Sequence, residues 1–181
     1  MSNETVYYSA SRRLLHWGAA ILLIAAVAGV ELHESFPKGS DIRNLLMSVH
    51  FQFGLLVFVL VWPRLLQTLR QGKPPINPAP QAAWQETLTK VVHLALYAAM
   101  VILPVVGVLV LQAAGKPVSF LGLELPMLVG EDKDFSHDLK EAHELVGNLL
   151  IGLVVLHVAA AVWHHRILKD DTMLRMLPPR K

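Results

Sequence analysis

Four stretches of the chain contain no Asp, Glu, Lys or Arg: Leu14 to Val30, Asn44 to Pro63, Val91 to Gly115 and Leu145 to His165. A helix needs roughly 20 residues to cross a hydrocarbon core about 30 Å thick, so each stretch is long enough or nearly so. The pattern predicts four membrane-spanning helices, over approximately 10–32, 42–66, 87–113 and 139–165. The first apolar run is the shortest, and its helix can begin near Ser9 if Arg12 and Arg13 snorkel to the headgroups. Pro104 falls inside the third span, where neighbours in lipid re-satisfy the freed carbonyl, and it predicts a kink. Asp138 and Glu141, three apart before an apolar run, resemble a capping box that opens the fourth. The expected fold is all-α: an integral membrane four-helix bundle forming a single domain over 1–181, with no repeat beyond the four similar spans.

The basic residues orient this bundle. The N-terminus, the connector after the second span and the C-terminal tail together carry eleven Lys and Arg, whereas the two other connectors carry five, beside ten acidic residues. Both termini are therefore expected to be cytoplasmic. The connector Gln71 to Gln81 holds Pro74, Pro75, Pro78 and Pro80, which predicts a stiff inner loop. The longer outer loop, Lys116 to His137, mixes Phe120, Leu121, Leu123, Leu125 and Met127 with charges and can lie over the bundle end as a lid. No small-residue cleavage site follows Val30, and the first run contains a histidine, so that span reads as retained and not as a cleaved signal.

Composition narrows the chemistry. Of 181 residues, 54% are hydrophobic and 17% charged, too apolar for an ordinary soluble domain of this length. Cysteine is absent, which excludes disulfides, thiolate zinc sites, iron–sulfur ligation and covalent haem attachment. A net charge of +2 without a basic, aromatic-laced patch sets nucleic acid aside as a partner. Histidine, with nine copies, is the main soft ligand left.

Ionisable residues inside a membrane are costly and mark function. The fourth span carries His143 and His157, fourteen residues apart, which places them roughly on one face and about 21 Å apart in height. With alternating topology, His16 shares a depth with His157, and His50 shares one with His143. A single zinc or copper centre wants ligands converging on one point, whereas haem takes one nitrogen above and one below. Two axial pairs thus suit two haems, and saturating each iron with imidazoles favours electron transfer. Gly18, Gly54 and Gly147 lie near His16, His50 and His143, either to make room for a porphyrin or to tighten helix packing.

Several residues stay open at this level. His93, near the cytoplasmic end of the third span, rivals His16 as a ligand, or bonds a haem propionate or a quinone. Arg64, fourteen residues after His50, comes round to nearly the same face and is either a propionate partner or a positive-inside anchor beside Trp62. Trp163, His164 and His165 form either an interfacial belt or, through His164, a proton donor to a quinone carbonyl. Tyr97 and Met100 have no assigned role.

The run Arg12-Arg13-Leu14-Leu15-His16-Trp17, His50 with Gly54, Leu103-Pro104-Val105-Val106-Gly107, and Lys140-Glu141-Ala142-His143-Glu144 resemble the prokaryotic cytochrome b561 family. So do His157 with His164-His165, Lys169-Asp170 and the tail Leu174-Arg175-Met176-Leu177-Pro178. The resemblance implies a bacterial inner-membrane bundle with two non-covalent b haems, ligated by His16, His50, His143 and His157. It further implies an oxidoreductase that takes electrons from superoxide and reduces ubiquinone. Superoxide is an anion, and the acidic outer loops oppose its approach unless basic groups such as Arg43, Lys116 or Lys140 form a local entrance. Two other readings are a haem-bearing anchor for a larger dehydrogenase or hydrogenase, with an electron-donor subunit as partner, and a non-redox transporter of protons or metal. The short N-terminus without a docking extension favours the stand-alone enzyme.

Overall fold

The structure is a computed structural model that describes residues 7–72 and 82–179. The prolines from Pro74 to Pro80, with Lys73, Arg180 and Lys181, lie outside the described residues. Four helices among those described are long and apolar enough to cross a membrane: α1 (Ala10–His33), α2 (Asp41–Gln71), α3 (Ala83–Ala113) and α4 (Lys133–Trp163). They form an antiparallel bundle in which α1 packs on α2, α2 on α3 and α3 on α4. The first and last described segments meet at one end of the bundle, here the terminal end, where Tyr8 N donates to Arg175 O. The opposite, hairpin end carries a two-stranded antiparallel ribbon, β1 (Ser119–Phe120) and β2 (Leu123–Glu124).

Caps decide the helix ends. Ser9 and Ser40 accept from the backbone N–H of Arg12 and Arg43 and open α1 and α2. α2 closes at Gly72, whose φ of 64° suits glycine. Arg43 closes α1 from outside, its guanidinium donating to the carbonyls of His33 (3.1 Å) and Phe36 (3.0 Å). The expected capping box of Asp138 and Glu141 is not where α4 begins. Asp132 caps it, accepting from Phe135 N at 3.0 Å, so α4 starts at Lys133 and carries roughly three largely polar turns ahead of its apolar run. α2 likewise runs on to Gln71 and α3 opens at Ala83, because hydropathy reports where lipid covers a helix, not where its hydrogen bonds stop.

Lipid tails are as apolar as leucine, so helices associate here through close packing rather than the hydrophobic effect. Two clusters carry that packing: Val57, Val61 and Met100 with Leu22 and Tyr97, and Ala99, Leu103 and Leu150 with Leu96 and Val146. Leu14, Leu45, Leu94 and Val155 point outward, as a lipid-solvated surface requires. The closest approach is at Gly29, where an added Cβ would come within 2.6 Å of the Leu46 carbonyl oxygen. Any side chain there forces α1 and α2 apart.

The hairpin-end loop is fastened by two glutamines. Gln52 of α2 donates to Ser119 O (2.8 Å) and accepts from Leu121 N (3.0 Å). Gln112, fully buried, donates to Pro126 O (2.8 Å) and accepts from Leu128 N (2.9 Å). Each amide satisfies two backbone groups, which ties the loop down over the ends of α2 and α3.

Candidate functional site

Antiparallel packing brings the four spaced histidines together in twos. The His16 and His157 rings have centroids 6.3 Å apart, and the His50 and His143 rings 6.1 Å apart. Two imidazoles bound on opposite sides of one ion, each at a metal–nitrogen distance of about 2.0 Å, hold their centroids roughly 6–6.5 Å apart. Both pairs meet that spacing. His93 also reaches the terminal end, but its ring meets His157 edge-on at 5.2 Å, closer than two imidazoles on opposite sides of one ion would lie. Among the described residues no three His, Cys, Asp or Glu side chains converge on one metal position.

The spaces beside these rings are uneven. At Gly18, Gly54 and Gly147 an added Cβ would meet nothing within 4 Å, so these glycines leave room instead of tightening contacts. Packing falls to two glycines that sequence reasoning gave no such role. Gly29 lies against α2, and Gly107 lies where a Cβ would come 3.2 Å from His143 Cε1. Gly107 faces the His143 ring edge and sets how closely α3 approaches it.

Partners of the ring Nδ1 atoms differ between the ends. His50 Nδ1 lies 3.0 Å from Ala26 O, and His93 Nδ1 lies 2.7 Å from Thr89 O. A carbonyl only accepts, so both rings carry a proton on Nδ1 and offer Nε2 as a lone pair. His16 Nδ1 instead accepts from Arg64 Nη2 at 2.8 Å. Arg64, expected near a propionate or the headgroups, thus meets a candidate ligand directly, with its guanidinium 5.3 Å from the Tyr97 ring centre. Tyr97 also bonds Thr68 Oγ1 (3.1 Å), which gives it a supporting place the sequence did not suggest.

Arg12 departs from expectation. It is 6% exposed, so it does not snorkel; it donates to Gly72 O (2.5 Å) and Thr68 Oγ1 (3.5 Å) and lies over the Tyr8 ring. Hydropathy treats an arginine at a span's edge as headgroup-bound, while here the C-terminal carbonyls of α2 compete for it. Arg13 bonds the Tyr8 carbonyl.

The remaining candidates divide between the ends. At the hairpin end Lys140 pairs with Glu144 at 2.7 Å, and Lys116 is exposed in the turn after α3. At the terminal end α4 widens into a π turn, His164–Leu168, and His164 Nδ1 lies 2.5 Å from Asp170 Oδ2. Asp170 is buried, and burial alone would raise its carboxyl. Hydrogen bonds from His164 and Thr172 outweigh that and hold it below the ordinary carboxylate value. His165, with Tyr7, Leu174, Leu177 and Pro178, lines a cleft of about 390 Å³.

Comparison with known proteins agrees over nearly the whole chain. The family model described as prokaryotic cytochrome b561 matches residues 7–179. "Cytochrome b561 homolog 1" of Escherichia coli (strain K12) is 35% identical over 174 residues, covering 96% of this chain and 98% of the relative. "Probable superoxide oxidase CybB" of Yersinia pestis is 32% identical over 174 residues, covering 96% and 97%. "Cytochrome b561 homolog 2" of E. coli is 33% identical over 181 residues, covering 97% and 94%.

Proposed function

The chain belongs to the prokaryotic cytochrome b561 family of multi-pass bacterial membrane proteins that carry haem and transfer electrons, and from there we propose that it is a superoxide:ubiquinone oxidoreductase with two b haems. The observation that carries this reading is the two imidazole pairs, with ring centroids 6.3 and 6.1 Å apart, each at the spacing one ion demands. His16 and His157 would hold one haem and His50 and His143 the other, with open space at Gly54 and Gly147, each one helical turn from its histidine. A b haem held by such a pair would supply a one-electron carrier.

The chain's own groups account for the rest. Lys and Arg are concentrated at the terminal end, which supports a reading with both termini in the cytoplasm and the hairpin end outside. Superoxide gives up one electron and leaves as oxygen, and a quinone needs two electrons and two protons, so two sites at separate depths match the mismatch in number. Lys116, exposed at the hairpin end, is the better candidate for an anion entrance, because Glu144 offsets Lys140. His164 sits at the terminal end, where the quinone would be protonated from the cytoplasm. Support for the substrate comes from the relative named as a probable superoxide oxidase.

The test is the purified protein alone with a superoxide generator, with and without a ubiquinone analogue, followed by its visible spectrum. Sharp reduced bands that appear with superoxide, vanish with superoxide dismutase and reoxidise on quinone addition are expected. No reduction without a copurifying soluble subunit would replace this reading with that of a membrane anchor, and a colourless preparation would end the redox account.

A further inference from the structure

α4 does not stop as its neighbours do. Its last turn, His164–Leu168, opens to π geometry, which occurs mostly as single turns and frequently at functional sites. The chain then reverses at Lys169, a non-glycine residue with φ of 53° in the left-handed region. Asp170 returns beneath the turn it has just left. Its N–H donates to His164 O (3.2 Å), its Oδ2 lies 2.5 Å from His164 Nδ1, and its Oδ1 accepts from Thr172 N (2.9 Å).

The tail after it is clasped to the start of α1. Arg175 pairs with Asp171 (3.3 Å), Tyr8 N donates to Arg175 O (3.1 Å), and Trp17 Nε1 donates to Met176 O (2.8 Å). Asp170, Asp171 and Arg175 are all buried. A strained reversal, over-determined by surrounding contacts, thus sets one carboxylate against one imidazole that belongs to neither histidine pair.

We propose that Asp170 is the positioning residue of a proton-donating dyad with His164, which delivers protons to the carbonyl oxygens of a quinone at the terminal end; this rests on the quinone reading above. The carboxylate accepts from Nδ1–H, so the transferable proton is the one on Nε2. As a quinone oxygen gains an electron, originally from superoxide, the Nε2–H bond breaks and an O–H bond forms. The imidazole is left neutral with Nδ1–H still on Asp170, and water restores the lost proton. Two such transfers, with two superoxide ions oxidised to two oxygen molecules, balance one quinone to quinol. A cleft of about 390 Å³, lined by Tyr7, Leu177 and by His165, the residue after His164, is within the size range of small-molecule sites.

The experiment follows reoxidation of dithionite-reduced holoprotein by a soluble ubiquinone analogue, in wild type, Asp170→Asn and His164→Gln, with the His164 tautomer read by nitrogen NMR on histidine-labelled protein. Asp170→Asn is expected to lose the Nδ1–H tautomer and to lower kcat on the order of 10–100-fold. KM and both haem spectra should be unchanged. A slow His164→Gln beside an Asp170→Asn of wild-type kcat overturns the dyad while the quinone reading stands. A His164→Gln of wild-type rate overturns the quinone reading at this site and the dyad with it. Should Asp170→Asn fail to accumulate, the wild type still decides: His164 protonated on Nδ1 and reoxidation slowed in heavy water are expected. A deprotonated Nδ1, or no solvent isotope effect, overturns the proposal.

Discussion

The two histidine pairs lie at opposite ends of α4 and are oriented by opposite kinds of partner. At the hairpin end His50 donates Nδ1–H to the Ala26 carbonyl, a backbone atom fixed by α1, and the ring presents Nε2 as a lone pair. At the terminal end His16 Nδ1 accepts from Arg64, so a neutral ring there carries its proton on Nε2. Binding an ion through His16 Nε2 therefore requires Arg64 to let go of Nδ1, or the ring to shed that proton beside the guanidinium charge. One end is set by a backbone carbonyl; the other is set by the half-buried guanidinium of Arg64. The terminal-end pair thus has a guanidinium against one ring, where the hairpin-end pair has a backbone carbonyl. A positive setting favours the reduced form of whatever carries the electron there.

The largest way to break this comparison is to remove one end. On the proposed reading of one haem per pair, His143→Ala is expected to abolish the hairpin-end haem and His157→Ala the terminal-end haem, each halving the haem recovered per purified chain, while His93→Ala keeps both. Retention of full haem by either ligand variant would separate the pairs from the cofactor altogether. Arg64→Leu sharpens the comparison instead. Loss of its charge should lower the midpoint potential of one haem by roughly 60 mV, about tenfold in a one-electron equilibrium, and leave the other unmoved in a redox titration. Equal shifts in both would mean that the guanidinium acts on the whole bundle and not on one end.

A smaller effect separates the glycines. Gly107→Ala pushes a methyl to 3.2 Å from His143 Cε1, and His143 is held on the far side by its partner ring. The expected cost is about 1 kcal/mol of thermal stability, with a perturbed spectrum only for the hairpin-end haem. Gly18→Ala, with nothing within 4 Å, should leave stability unchanged. Haem loss from Gly18→Ala would show how tightly that space is filled.

Which of these features were readable in advance depends on their range. The four spans and the depth-matching of His16 with His157 and His50 with His143 follow from hydropathy and from helical rise, both local and periodic. The true start of α4 does not, because Lys133 to Glu144 look like a charged loop until Asp132 is seen capping them. Arg12 reads as an interfacial charge, and only the arrival of Gly72 and Thr68 from α2 buries it. Nothing in the pattern marks Lys169 as the point of reversal, since a left-handed turn normally advertises itself with Gly or Asn. Asp170 is found only when that turn is followed in space.

The smallest effect expected is a pH dependence confined to the terminal end. The Asp170 carboxyl is held below its ordinary value of 3.8, with hydrogen bonds from His164 and Thr172 outweighing the opposing effect of burial. A carboxyl whose folded value is depressed stabilises the native state at pH above the unfolded value, and that contribution is lost as pH falls through the folded one. The tail from Asp170 to Met176 should therefore remain docked on α1 from neutrality down to about pH 4 and loosen below it. Amide exchange at Tyr8 and fluorescence of Trp17, whose Nε1 donates to Met176 O, report that docking directly. Asp170→Asn should remove the acid step at this end while the hairpin end keeps whatever acid response it has. An unchanged step in the variant would assign the transition to groups other than Asp170.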